Sequence, residues 1–159
     1  DERVVTVPVV NRKRLEGVLT VSDITDSFME AYDSEILSTA HTRYCNIVDT
    51  LEGTLLIGDE KAYYTKGKVL VAAANPDLME SYISKHDLVI LGNRYESQLC
   101  AIEMEADCIV VCEGAPVSLT IRKLAQERGC TVISTPFDTF TASIRSCLLR
   151  MLCPFTFVI

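Results

Sequence analysis

An α/β fold with a mainly parallel sheet and flanking helices, preceded by a small β-β-α unit, is predicted by three observations. From Thr54 onward, short apolar β-type runs alternate with helical segments of roughly ten residues, the pattern of βαβ units. Two of those runs, Leu88–Leu91 and Cys108–Cys112, are apolar at nearly every position. That suits strands covered on both faces. Ahead of them, two apolar runs flank the basic segment Asn11–Arg14, as in a hairpin.

Each element follows from local chemistry. Val4–Val10 reads as a strand and Leu15–Val21 as its partner; Asn11 tolerates turn geometry and Arg12, Lys13 and Arg14 keep the tip solvated. Ser22 or Asp23 caps a helix to about Tyr32, with Ile24, Phe28 and Ala31 as its apolar stripe. A polar connector runs from Asp33 to Thr42. Thr42 is then expected to cap a helix bearing Tyr44, Ile47, Val48 and Leu51, stopped by Gly53. Thr54–Gly58 and Lys68–Ala74 read as strands. Asn75 caps a helix over Pro76–Ile83, with proline at its favoured first position. Asn93 and Glu96 have capping-box spacing at the start of a helix to about Glu105. Ser118–Arg128 is a helix with Val117, Ile121 and Leu124 on one face and Gly129 as its stop. Thr131–Ser134 is a strand, and Asp138 caps a last helix to about Leu149. The final residues, to Ile159, are apolar enough to need a docking partner.

Composition excludes several function classes. Hydrophobic residues make up 48% and charged residues 23%, which gives a real core rather than a disordered chain. A net charge of −7 argues against a nucleic-acid surface, which needs a concentrated Lys/Arg field. No stretch reaches the roughly 18 apolar residues of a membrane-spanning helix, and no signal peptide opens the chain. The seven cysteines form no CxxC pair, and most sit in apolar runs. They read as reduced, buried thiols in a cytoplasmic protein. Cys108 and Cys112 have a spacing that could suit a metal, but they bracket a strand. His41 and His86 are the only histidines. His86 and Asp87 make a poor acid–base pair, because neighbours on a strand point to opposite faces. No catalytic residue and no metal ligand is assigned.

The residues that carry chemistry lie near the N-terminus. Val7-Pro8-Val9-Val10, a turn, then Gly17-Val18-Leu19-Thr20-Val21-Ser22-Asp23-Ile24 places hydroxyls and a carboxylate at a strand-to-helix junction. Such a junction holds anions through free N–H groups and the positive end of the helix dipole. A carboxylate there can accept from both hydroxyls of a ribose. This stretch resembles the back half of a CBS motif, a unit that binds adenine nucleotides. The resemblance implies that Pro8, Val9 and Val10 contact adenine through their backbone, that Thr20 and Ser22 hold phosphate, and that Asp23 holds ribose.

Downstream, Asp87–Arg94, Ala106–Val111, Glu113-Gly114-Ala115 and Ser134–Thr141 together resemble a DRTGG domain. The name-giving motif survives only as Asn93-Arg94-Tyr95-Glu96-Ser97. The expected organisation is 1–33 as the C-terminal half of a CBS motif, 34–52 as linker and helix, 53–148 as DRTGG domain, and 149–159 as an apolar tail or the start of a second CBS motif.

The order CBS half, then DRTGG, resembles the regulatory insert of manganese-dependent (family II) inorganic pyrophosphatases. It implies that the chain is a fragment of a longer protein whose DHH-type domains, with Mn or Co, hydrolyse diphosphate to phosphate. It also implies AMP or ADP as inhibitors, diadenosine polyphosphates as activators, and a homodimer through the DRTGG domain. The alternative is a DRTGG dimerisation module that binds no ligand.

Overall fold

The computed structural model describes residues 6–11, 14–20, 34–72 and 76–152. A hairpin of β1 (Thr6–Asn11) and β2 (Arg14–Thr20) comes first. Then follow α1 (Ile36–Thr39), β3 (Thr42–Arg43), α2 (Tyr44–Thr50), β4 (Thr54–Ile57), β5 (Tyr63–Tyr64), β6 (Val69–Val71) and α3 (Pro76–Tyr82). The chain continues through β7 (Leu88–Leu91), α4 (Tyr95–Glu103), β8 (Cys108–Val111), α5 (Leu119–Arg128), β9 (Thr131–Ser134) and α6 (Thr139–Leu152). The expected helix after Ser22, the Asn75 cap and the tail beyond Leu152 lie outside the described residues.

The main sheet has the order β4-β9-β8-β7-β6. The pairs β6·β7, β7·β8 and β8·β9 are parallel, and β4 closes one edge antiparallel to β9. Every side chain of β7 and of β8 is fully buried, so both sheet faces must be covered. Period-two alternation divides the strand residues between them. Leu88, Ile90, Cys108, Val110 and Ile133 pack with Ile36 and Leu37 of α1, Tyr44, Ile47 and Val48 of α2, and Ala142 and Leu149 of α6. Val89, Leu91, Ile109, Val111 and Val132 pack on Met79 of α3, Cys100, Ala101 and Ile102 of α4, and Ile121 and Ala125 of α5. Each fully buried Leu or Ile contributes about 1.5–3 kcal/mol. The result is a three-layer sandwich. Successive crossovers α3, α4 and α5 all lie on one face, so the strands step in a single direction from β6 to β9.

Three expectations are corrected. Thr42 does not cap a helix. It begins β3, which pairs with β5 (Thr42 to Tyr64, Arg43 to Tyr63), and α2 starts after Arg43 without a side-chain cap. The ribbon wins because Tyr64 is fully buried beneath it and meets Tyr44 edge-on at 6.4 Å. The polar connector contains α1, whose Ile36, Leu37 and Ser38 are buried. The capping box at Asn93 does not form: Arg94 occupies the cap position with no side-chain bond. Elsewhere the helix signals hold. Ser118 Oγ accepts from the Ile121 N–H at 3.2 Å, and Gly129 ends α5 in the left-handed region at φ 70°. Asp138 accepts from the Thr141 N–H at 2.9 Å and from its hydroxyl at 2.7 Å, bonds that hold its carboxyl below the ordinary aspartate range. The last helix runs to Leu152, three residues past the expected end.

Gly67 fixes the approach to β6. Its φ is +85°, and an added Cβ would lie 2.1 Å from the His86 carbonyl oxygen. Ser38 Oγ also donates to the Gly67 carbonyl at 2.7 Å, so the backbone there cannot retreat. Gly67→Ala should lower unfolding stability by about 2–4 kcal/mol, read as a shift of the urea midpoint at unchanged slope.

Candidate functional site

The first candidate site is the hairpin. Its register sets Thr6 opposite Thr20, Val7 opposite Leu19, Pro8 opposite Val18 and Val9 opposite Gly17. A bulge then shifts Val10 onto Leu15, leaving Glu16 as the extra residue. Pro8 lacks an N–H, and a two-stranded ribbon tolerates that because both strands are edges. Cross-strand pairing and two-residue spacing place Pro8, Val10, Leu15 and Val18 on one face. That face is bare: Val10 is 64% exposed, Leu15 59% and Val18 49%. Pro8, Val9 and Val10 therefore line up on β1, while Thr20 ends β2 two residue pairs away, roughly 8 Å from Pro8 by strand geometry. Ser22 and Asp23 follow Thr20 and lie outside the described residues.

The second candidate is the carboxyl edge of the parallel strands, where the β7–α4, β8–α5 and β9–α6 loops meet. Gly92, Asn93 and Arg94 leave β7. Gln98, only 2% exposed, reaches back from α4 and donates from Nε2 to the Gly92 carbonyl at 3.3 Å. Glu113 and Gly114 leave β8 in consecutive left-handed conformations, φ 62° and 60°. Their N–H groups donate to the carbonyls of Phe137 and Thr135, both at 2.8 Å, which fastens the two loops together. The buried Thr135 hydroxyl donates to the Leu51 carbonyl at 2.6 Å and accepts from the Phe137 N–H at 3.3 Å. Arg145 stacks over the Phe137 ring at 4.0 Å and donates to the Thr50 carbonyl and the Glu52 carboxylate. These long-range ties had no sequence signal beyond the Ser134–Thr141 run itself.

The amino edge is structural. Asp87 is 1% exposed and accepts from the N–H groups of Ser84 at 2.8 Å and Lys68 at 3.0 Å. His86 turns away from it and meets Asp107 instead, Nδ1 to Oδ1 3.0 Å. His41 is exposed. Tyr44 and Tyr64 are pushed far up in pKa by burial first, and then by Cys108 beside Tyr44 and Asp87 beside Tyr64. Cys45, Cys100, Cys108, Cys112, Cys130 and Cys147 are free thiols. Burial raises Cys108 well above the ordinary range, Cys130 to about 12 and Cys112 to about 11. Among the described residues no three His, Cys, Asp or Glu side chains converge as a metal site, and no helix is long and apolar enough to cross a membrane.

A hairpin set before a helix-covered, mainly parallel sheet with a stiffened carboxyl edge defines a small α/β module. Residues 46–146 match the DRTGG domain family, and the chain belongs to it. The chain is 37% identical over 144 residues to a cobalt-dependent inorganic pyrophosphatase of Clostridium perfringens, covering 90% of this chain and 26% of that protein. It is 28% identical over 137 residues to a probable manganese-dependent inorganic pyrophosphatase of Thermotoga maritima, covering 86% and 25%. The chain thus spans about a quarter of the length of these two relatives. A crystal structure of the CBS and DRTGG domains of the regulatory region of the Clostridium perfringens pyrophosphatase, complexed with the activator diadenosine tetraphosphate, superposes with a TM-score of 0.78 at 36% identity. That match covers 92% of this chain and 63% of the other. The expected α/β architecture and the homology to a pyrophosphatase regulatory region both hold.

Buried thiols with raised pKa values should resist modification. Treated with iodoacetamide at pH 8, the native chain should be labelled at Cys108 and Cys130 only after denaturant is added, with peptide mass spectrometry giving the sites. Native labelling of Cys108 as fast as of Cys45 would contradict the packing described.

Proposed function

We propose that this chain is the adenine-nucleotide-sensing part of an inorganic pyrophosphatase, with the hairpin contributing half of a CBS site and the sheet domain coupling it to the rest of the protein. The observation that carries this reading is the continuous similarity, over nine-tenths of the chain, to a regulatory region solved with diadenosine tetraphosphate. In this reading the β1 backbone at Pro8, Val9 and Val10 meets the adenine, Thr20 and Ser22 hold phosphate, and Asp23 accepts from the ribose hydroxyls. The bare face of Pro8, Val10, Leu15 and Val18 supports it, since an isolated hairpin with an uncovered apolar face is at best marginal. The remaining CBS elements are the natural cover.

The finer assignments belong to the same proposal. Residues 1–33 are the CBS half, 34–52 a linker and helix, 53–148 the DRTGG domain and 149–159 the lead into a second CBS motif. AMP and ADP inhibit, and diadenosine polyphosphates activate. The intact protein is a cytoplasmic homodimer that hydrolyses diphosphate with Mn or Co bound in domains outside these residues.

In the intact protein, Asp23→Ala should weaken AMP binding by about 1–3 kcal/mol, the range for lost hydrogen bonds to a charged group, measured by titration calorimetry. Wild-type affinity in that variant would remove Asp23 from the site. Diphosphate turnover by the 159-residue chain alone with Mn²⁺ would overturn the division between regulatory and catalytic parts.

A further inference from the structure

Strand β6 ends the main sheet on the side away from β4. Ala72 donates to the Ile90 carbonyl at 2.8 Å, and the Lys68 carbonyl accepts from Leu88 at 2.9 Å, so the even-numbered residues face β7. Backbone groups alternate sides along a strand, and Val69 and Val71 therefore turn theirs outward. Ser34 takes the Val69 N–H at 2.7 Å. Among the described residues nothing takes the Val69 carbonyl, or the N–H and carbonyl of Val71. The Val71 side chain is 41% exposed. An open edge of this kind is a template for one more strand.

Helix α3 overhangs the same edge. Met79 and Ile83 turn to the sheet and are buried. The Cys100 thiol of α4 reaches the Pro76 carbonyl at 3.9 Å, and burial and then the Glu80 carboxylate push that thiol up, so Glu80 marks the flank of α3 that meets α4. Leu78 and Tyr82, one helical turn apart, lie on the opposite flank, the one beyond β6. They are 53% and 61% exposed. A strand set beside β6 slides under these two side chains.

The C-terminal segment is delivered to this place. Helix α6 begins at the carboxyl edge, where Arg145 bonds to Thr50 and Glu52 ahead of β4. It ends against β6 and β7, with Leu149 buried beside Ile36 and Leu37 of α1. The Ser38–Gly67 and Ser34–Val69 bonds hold α1 at the amino end of β6. Seven residues follow Leu152: Cys153-Pro154-Phe155-Thr156-Phe157-Val158-Ile159. They are uncharged, Pro154 forbids a longer helix, and the last five are aromatic or β-branched, the types that favour strands. Extended, they reach about 23 Å at ~3.3 Å per residue, ample for a three-residue edge. Handedness agrees as well. Helix α6 lies on the face opposite α3, α4 and α5 and returns from β9 toward β6, so a parallel strand beyond β6 completes a right-handed crossover. The groove beside β4, lined by Leu55, Leu56, Ile57, Ala125, Gly129 and Cys130, lies at the far edge, where α6 starts rather than ends.

We propose that residues 154–159 add to β6 as a sixth, parallel strand, bonded to the Val69 carbonyl and the Val71 backbone and covered by Leu78 and Tyr82. Phe155, Phe157 and Ile159 share one face of that strand and meet α3. The inference does not rest on the nucleotide reading above; it gives the exit from the sheet domain a fixed place.

Amide exchange followed by NMR on the full chain tests it, beside a chain ending at Leu152 and the variant Phe157→Asp. The Val71 amide should exchange at least ~100-fold more slowly in wild type than in either altered chain. Ala72, bonded to Ile90, should stay protected in all three and so report an intact sheet. If the shortened chain does not fold, Phe157→Asp alone decides. A Val71 amide equally fast in wild type and Phe157→Asp leaves the edge open and overturns the strand. Equal protection in the two gives the edge to another segment and overturns it too. Protection that grows with protein concentration assigns the edge to a second copy, which also contradicts the proposal.

Discussion

Two strands with no solvent-facing side set the architecture. Leu88–Leu91 and Cys108–Val111 are buried at every position, so each needs apolar cover above and below. Parallel neighbours and helical crossovers are the way a chain of this length supplies both. The cover on one face comes from the crossovers α3, α4 and α5; on the other it comes from α1, α2 and α6, drawn from the two ends of the domain. Remote segments are thereby tied through one sheet. The Thr135–Leu51 and Arg145–Glu52 bonds span 84 and 93 residues.

That arrangement also explains where a site can and cannot be. In a doubly wound sheet, ligands enter the crevice where the strand order reverses. The parallel strands here advance in one direction, so no reversal opens such a crevice, and the loops at the carboxyl edge are cross-linked through Glu113, Gly114, Thr135 and Phe137. The edge is firm. In the function proposed above, the hairpin takes the small molecule and the sheet domain couples it to the rest of the protein.

The parts legible in the sequence were those governed by short-range rules. Continuous apolar runs marked β7 and β8. Ser118 and Gly129 marked the ends of α5, and Asp138 the start of α6. The failures came where long-range packing overrode a local preference. Thr42 looked like a helix cap, but burial of Tyr64 pulled it into a two-residue ribbon. Asn93 and Glu96 had the right spacing for a capping box, but the helix started a residue late, with Arg94 in extended backbone at the cap position. For the hairpin, the register and its bare face are now on view, whereas the roles given to Thr20, Ser22 and Asp23 rest on their motif.

The most direct test of the nucleotide-sensing account is hydrogen exchange by mass spectrometry on the intact protein, with and without diadenosine tetraphosphate. The account predicts slower exchange for amides in Thr6–Thr20 on binding, with the already buried strands Leu88–Leu91 and Cys108–Val111 unchanged. Saturable binding that leaves the hairpin amides untouched would contradict it.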